Sequence, residues 1–195
     1  SFPVNFPSGQ SCKININNSA RLILNSATTI NTNVNLQFNN GLLKLGNNNL
    51  TLGTGTLTGA SSSNYIVTDG AGALTMPAPA GVATLFPVGA SASSYDPVTV
   101  KPTTASNVSV KVGNTLSGPA VNCTLNEKEW DITPETPSET ELTFTPSVIT
   151  AVGIDPIIGH FESGAYKYKK ATKVGNSYTA TFSSFSPFVT GASDV

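Results

Sequence analysis

The sequence predicts an all-β fold. Apolar and polar residues alternate in short runs, as at Val34, Leu36 and Phe38, and a period of two is typical of strands with one buried face. No segment shows the period of about 3.6 residues that marks a helix. The helix formers Ala, Glu and Lys are also scarce in the first third of the chain. Residues that favour tight turns separate the runs, at Asn39-Asn40-Gly41, Gly46-Asn47-Asn48-Asn49, Gly53-Thr54-Gly55 and Asp69-Gly70-Ala71-Gly72.

Residues 14–80, which are rich in Asn, Gly and Thr, are predicted to form either a short β-solenoid or a set of antiparallel hairpins. The segments NVNLQF, GLLKLG, NNLTLG and TGTLTG follow one another closely, with Asn and Gly between them. Small residues suit the corners of stacked coils, and Asn side chains can form ladders there. Because only Lys13, Arg21, Lys44 and Asp69 are charged before Tyr95, we expect this part to be architectural.

Residues 81–195 are predicted to form a β-sandwich. Prolines, charges and aromatic residues return here, and about seven short strands with turns between them are typical of that architecture. Trp130 alternates with Glu129 and Asp131, so we expect the indole in the core and the two carboxylates in water. The predicted strands are residues 97–101, 107–112, 122–133, 141–145, 157–163, 165–171 and 177–182.

The first residues, 1–13, are predicted to be an extended segment. Phe2, Val4 and Phe6 fall on one face of an extended chain, and Pro3 and Pro7 restrict the backbone to extended conformations. Such a strip could be donated to the sheet of a neighbouring copy. It could equally cover a sheet edge of its own domain, and the sequence does not separate these alternatives.

Composition excludes several classes of partner. Charged residues make up 11% of the 195 residues, against a usual fraction of about 25%, and the net charge is -1. Nucleic-acid binding needs clustered cations, and the short run from Tyr166 to Lys170 is more typical of a solvated strand face. No apolar run reaches the roughly 18 residues of a membrane span, so none is predicted.

The two cysteines favour an exported protein, whereas the start of the chain is neutral. The chain begins at Ser1 without a basic segment followed by an apolar one, so we expect any export signal either to have been removed or never to have been part of this sequence. Cys12 and Cys123 are too far apart in sequence for a zinc knuckle or a C-x-x-C motif. They are predicted to form a disulfide, as in an oxidising compartment, with two buried thiols as the alternative.

Catalytic patterns are weak, and we predict no enzyme and no cofactor. The lone His160 lies in an apolar strand, and no G-x-S-x-G turn accompanies it. Glu127, Glu129 and Asp131 share a strand face, and a glycosidase needs two carboxylates about 5–9 Å apart. That face lies opposite the predicted core, so solvated carboxylates are the expected arrangement. No calcium loop of alternating Asp residues is present, and no metal site is predicted.

Sugar binding is the alternative function. Polysaccharide platforms use exposed aromatic rings beside amides and carboxylates, and five tyrosines could supply the rings. Tyr166 and Tyr168 are the candidates, and they share one strand face. The same spacing is also expected of a pair that faces the core.

An ordered set of motifs resembles a known group of proteins. These motifs are NLTLGTGTLTGASSSNYIVTDGAGALTM (49–76), LFPVGASASSYDPVTV (85–100), EWDIT (129–133), IIGHFESGAYK (157–167) and FSSFSPFVTG (182–191). The set resembles the extracellular region of secreted and cell-surface proteins of Bacteroidota, in which a solenoid-like segment leads into a β-sandwich. In that group a final SFSPF strand precedes a cleavable sorting domain of the type IX secretion system. The resemblance implies export and surface display, and it assigns no catalytic residue.

The expected function is therefore structural. We expect a secreted or surface-displayed subunit that assembles with copies of itself into a filament or sheath, through strand donation or edge stacking. Phe2, Val4 and Phe6 would fill pockets of a neighbouring copy, and the Cys12–Cys123 bond would fasten the N-terminal segment to the sandwich. An adhesin or carbohydrate-binding module of the cell surface is the alternative.

Overall fold

The fold is all-β in a computed structural model that describes residues 12–30, 34–185 and 187–193. Strands account for 61% of these residues and helices for 0%. The strands are β1 Cys12–Ile23, β2 Thr28–Ile30, β3 Val34–Lys44, β4 Leu50–Leu52, β5 Thr56–Thr58, β6 Ile66–Val67, β7 Leu74–Ala78, β8 Thr84–Phe86, β9 Val88–Gly89, β10 Val98–Pro102, β11 Ser106–Gly113, β12 Cys123–Pro134, β13 Thr140–Phe144, β14 Asp155–Glu162, β15 Ala165–Lys170, β16 Thr172–Val174, β17 Ser177–Phe182 and β18 Pro187–Ser193.

The N-terminal part is a solenoid-like stack of about three turns. One face, here called the solenoid sheet, has the strand order β1-β3-β6-β9, with β5 also beside β3. The opposite face contains β2, β4 and β7, and the pairs within both faces are parallel. Parallel pairing cannot arise from tight hairpins, which join antiparallel strands. The solenoid alternative is therefore confirmed, with about 22–24 residues per coil.

Asparagine side chains stabilise the corners of the coils. The Ala71 and Ala73 amides donate to the Oδ1 atoms of Asn47 and Asn49, at 3.1 and 3.0 Å. Asn48 Nδ2 donates to the Leu24 carbonyl at 2.7 Å. Each bond joins residues 24 positions apart, so the amide groups link one coil to the next. They satisfy backbone groups that a corner would otherwise leave unpaired.

The turn predicted at Asn39-Asn40-Gly41 is wrong, because these residues lie inside the long strand β3. The register with β1 shifts there, since Ile16 faces Phe38 and Asn17 faces Asn40. Gly41 has φ +95°, and a Cβ at this position would collide with the Asn18 carbonyl, so only glycine fits here. Asn and Gly therefore form a bulge that bends the strand, rather than a turn that ends it.

The C-terminal part packs two sheets together. The long sheet has eight strands in the order β15-β14-β18-β12-β11-β7-β4-β2, and the short sheet has five in the order β16-β17-β13-β10-β8. All seven predicted strands are confirmed within about two residues at each end. Trp130 of the long sheet is fully buried and its ring lies 5.0 Å from that of Phe144 in the short sheet, as the prediction of a core indole requires.

The solenoid and the sandwich share one sheet and one core. β7 pairs in parallel with β4 on one side and antiparallel with β11 on the other. The long sheet therefore contains strands from both sides of the boundary predicted after residue 80. Buried residues from Ile16 to Phe188 belong to one continuous hydrophobic cluster. The solenoid is thus closed at its C-terminal end by the sandwich that continues it.

A second internal repeat occurs where the two parts meet. Two small corners begin with the same three residues, Gly59-Ala60-Ser61 in the first and Gly89-Ala90-Ser91 in the second. An isolated backbone bridge spans each corner, from Ser61 to Asn64 and from Ser91 to Ser94. The tyrosines that follow, Tyr65 and Tyr95, have ring centroids 5.1 Å apart. The Tyr65 hydroxyl donates to the Ser91 carbonyl at 2.8 Å, so the first corner is bonded to the second.

Candidate assembly surface

The N-terminal end of the solenoid carries unpaired strand edges, and we call this surface the open end. β1 is the outermost strand of the solenoid sheet, and β2 is the outermost strand of the long sheet. Within residues 12–30, 34–185 and 187–193, no strand pairs with the outer side of either one. β1 has 12 residues, and an unpaired edge of that length offers a row of N–H and C=O groups to another chain.

Only the first part of β1 is a regular edge. The register with β3 is continuous over residues 12–16 and then shifts twice, after Ile16 and after Asn18. The second shift contains a local turn, in which the Ala20 amide donates to Asn18 Oδ1 at 2.9 Å. Bulges of this kind interrupt pairing with a second chain. Residues 12–16 therefore form the part of β1 best suited to accept a strand.

The open end is basic and partly apolar. Lys13 and Arg21 are exposed on β1, and neither forms an ion pair with any described residue. Leu22 and Ile23, at the end of the same strand, are about half exposed. In sequence the first acidic residue is Asp69, so the first coil carries cations without anions.

The other sheet edges are less suited to pairing. β15, at the far edge of the long sheet, carries Lys167, Lys169 and Lys170, and lysines on an edge oppose the approach of a second sheet. The edges of the short sheet, β16 and β8, have three residues each. The open end thus has the longest regular edge without a lysine cluster in the described part of the chain.

The predicted disulfide is absent from the structure. Cys12 and Cys123 are free thiols, the first on the solenoid sheet and the second buried at the start of β12 in the long sheet. Cys123 instead contacts the hydroxyl of Tyr168. The prediction failed because wide spacing excludes close-set metal and redox motifs but says nothing about whether the two strands meet.

The assembly residues Phe2, Val4 and Phe6 lie outside the residues that the structure describes. Their suggested partner surface, the regular edge at residues 12–16, is described in full. The prediction of a donated strand at 1–13 therefore stays a prediction.

Tyr166 and Tyr168 stack on one face of β15, with ring centroids 6.5 Å apart. The loop of residues 114–122 lies over them, because the amides of Ser117 and Val121 donate to the hydroxyls of Tyr166 and Tyr168 at 3.1 and 3.3 Å. Tyr166 is buried, and burial raises its pKa. Burial, followed by the contact with Cys123, raises the pKa of Tyr168 to about 12. These rings face a loop of their own chain rather than an open platform.

The carboxylates of β12 lie in different environments. Glu127 is exposed, whereas Glu129 accepts bonds from the Tyr166 hydroxyl and from the amide of Ser117, the latter at 2.8 Å. Asp131 lies 3.6 Å from Lys111 Nζ. The expectation of solvated carboxylates is therefore wrong for Glu129, because the loop that contains Ser117 folds back over it.

A polar cleft of about 510 Å³ lies where the solenoid meets the sandwich. Asp69 of the solenoid and Lys111, Asn114 and Asp131 of the sandwich are among the residues that line it. No group of three or more His, Cys, Asp or Glu side chains could hold a metal ion, as far as the described residues extend. In the same part of the chain no helix could cross a membrane.

His160 is packed in the core, as its apolar strand predicted. Its ring stacks on Phe188 with centroids 4.6 Å apart, and Nδ1 lies 3.1 Å from Glu162 Oε1. Nε2 is buried and has no hydrogen-bond partner among the residues described. Burial lowers the pKa of His160 and outweighs the opposing effect of Glu162. A neutral imidazole that donates from Nδ1 to Glu162 fits this site.

We expect His160 to make folding pH-dependent. Its pKa is lower in the folded chain than in the unfolded one, so the unfolded state binds more protons as the pH falls below about 6.5. The free energy of unfolding should therefore decrease between pH 7.5 and pH 5, measured by urea denaturation.

The matched variant is His160→Gln, which should show a smaller decrease over the same range. Glu162, whose pKa is lowered chiefly by a hydrogen bond from Lys167, acts in the same direction but below its unfolded value of 4.5. Measurements above pH 5 therefore isolate the histidine. Equal pH dependence in the two proteins would show that His160 does not cause it.

Comparison with known proteins found no matching family model, no similar curated protein and no similar solved structure.

Some residues of this surface were not found from the sequence. The sequence places residues 14–23 in the solenoid-like part but predicts neither the local turn at Asn18 nor the exposure of Leu22 and Ile23 at the end of β1. The Asn-Asn-Ser run at 17–19 was the available signal, because Asn and Ser bond readily to nearby backbone.

Proposed function

We propose that the chain is a non-enzymatic structural subunit, secreted or displayed on the cell surface, whose copies assemble through the open end into a filament or sheath. The unpaired edge of β1 is the observation that supports this function most strongly. Exposed edges otherwise invite uncontrolled pairing, and native proteins usually cover or charge them. A contact between copies would satisfy the backbone groups on the outer edge of residues 12–16, which pair with no described strand.

Low charge also supports assembly. Few ions need to lose their water when surfaces with so few charges meet, and the cost of burying an ion is several kcal/mol. Support for export comes from the ordered motifs in the sequence, since the free thiols of Cys12 and Cys123 give none.

The edge is tested by Asn15→Lys. Asn15 is exposed within the regular stretch, so a lysine there adds charge to the edge without entering the core. We expect the concentration needed for polymers to rise at least about tenfold, which corresponds to about 1.4 kcal/mol per contact. Light scattering across a concentration series measures it.

Asn176→Lys is the matched control, because Asn176 is exposed in the turn between β16 and β17. Polymers at the wild-type concentration in Asn15→Lys would remove the edge from the contact. Deleting residues 1–7 then separates the two forms of contact. Loss of polymers in both variants, with a folded monomer, indicates strand donation, whereas loss in Asn15→Lys alone indicates edge stacking.

A further inference from the structure

One loop exposes aliphatic side chains in a way that the proposed function has not used. Residues 146–154, here called the aliphatic loop, join β13 of the short sheet to β14 of the long sheet. Val152 and Ile154 are 79% and 77% exposed, and Val148 is more than half exposed. No charged residue occurs between Glu141 and Asp155. Clustered exposed aliphatic groups of this kind commonly mark interaction sites.

The backbone of the aliphatic loop is held in place. Asn126 is fully buried, and its Oδ1 accepts the amides of Thr150 and Ala151 at 2.8 and 3.0 Å. The Val152 amide donates to Thr124 Oγ1 at 3.0 Å, and the Ile154 amide donates to the Ser193 carbonyl at 2.9 Å. The chain therefore presents its aliphatic groups on a fixed backbone, and β-branched side chains lose little further freedom on contact.

The first coil has properties that match this loop. It exposes Leu22 and Ile23 and carries the cations Lys13 and Arg21 without an anion. Glu127, which follows Asn126 in the sequence of β12, is exposed and forms no ion pair with the described residues. An apolar contact with opposite charges at its border resembles the core and rim of protein interfaces.

The solenoid has no second open end that could pair with the open end of another copy. The C-terminal end of the solenoid continues into the sandwich, where β7 pairs with β11, so copies cannot stack coil on coil in one direction. Two different surfaces must therefore meet for a chain of copies to grow.

We propose that the aliphatic loop of one copy packs against Leu22 and Ile23 at the open end of the next, with Glu127 facing Arg21, the cation that precedes Leu22 in β1. The inference rests on the proposed function and names the surface that completes the contact. The contact is heterologous, so each copy keeps one free surface of each kind and growth continues. A stable contact buries about 800 Å² per partner, so the aliphatic groups form the centre of a larger contact.

The test uses variants with one defective surface each. Val152→Glu with Ile154→Glu should disable the loop, and Ile23→Glu should disable the open end. Each variant alone should scatter light as a single chain of 20.1 kDa at concentrations where the wild type forms polymers. Val174→Glu is the control, because Val174 is 74% exposed on β16, and it should polymerise like the wild type.

Mixing the two defective variants is decisive. Each contributes one intact surface, so the mixture should form a 1:1 pair of twice the single-chain mass and nothing larger. Absence of that pair, or wild-type polymers from the loop variant, would overturn the inference and leave the proposed function standing. A wild type that stays monomeric would overturn both. Thermal unfolding of each variant checks its fold, and Val152→Ser with Ile154→Ser replaces a loop variant that is unfolded.

Discussion

Asp96→Ala should lower the free energy of unfolding by about 3–4 kcal/mol. The carboxylate is fully buried where the last coil meets the sandwich, and it accepts from Ser94 Oγ at 2.5 Å, from the Ser147 amide at 2.8 Å and from the Ala90 amide at 3.3 Å. Alanine would leave the buried Ala90 amide without this acceptor and the buried Ser94 hydroxyl with Ser147 Oγ alone, and a buried polar group without its partner costs about 1–3 kcal/mol. Urea denaturation followed by fluorescence of Trp130, the single tryptophan, measures the loss.

The control is Asp69→Ala. Asp69 pairs with Lys44 at 2.6 Å, but both side chains are about 30% exposed, and pairs near the surface contribute below about 1 kcal/mol. If Asp96→Ala cost no more than this control, the buried carboxylate would not be what joins the solenoid to the sandwich.

Trp130→Ala should cost about 4 kcal/mol. The indole is fully buried between the long and short sheets, packs on Phe144, and donates from Nε1 to the Asp96 carbonyl at 2.9 Å. Removing it leaves a large cavity together with an unpaired carbonyl, and Trp-to-Ala changes in cores cost about 3–5 kcal/mol. Circular dichroism in urea measures this loss, since the variant has no tryptophan.

Trp130→Phe separates the two contributions. It keeps most of the packing and loses the hydrogen bond, so we expect a cost of about 1–2 kcal/mol. A loss as large as that of alanine would show that the bond to Asp96, rather than cavity formation, dominates.

The sandwich strands were predictable because each buries one face, which gives its own sequence an alternation of apolar and polar residues. Trp130 and Ile132 are buried as their alternation requires. The coil period was harder to find, because successive coils share a backbone path and not a residue pattern. NVNLQF and GLLKLG, taken as separate segments, lie in the single strand β3. The bulge that joins them depends on Gly41 meeting Asn18, which is distant in sequence.

Contacts that form the candidate surfaces were also less predictable, because they join residues that are distant in sequence. The alternation within each strand gives no sign that Glu129 and Tyr166 meet the same loop. The Ser117 amide, more than ten residues away from both, donates to each of them. The aliphatic loop had a visible signal, since VITAVGI is uncharged and lies between Pro146 and Pro156. Its exposure, however, follows from the buried side chain of Asn126, which no local pattern indicates.

The central claim is that copies of this chain assemble, and the most direct test is electron microscopy of the native protein at several concentrations, with light scattering on the same samples. We expect filaments or sheets whose mass grows with concentration. Particles that keep the mass of one chain, 20.1 kDa, at every concentration would contradict the claim. If those particles also retained polysaccharide, they would support the alternative, an adhesin or carbohydrate-binding module.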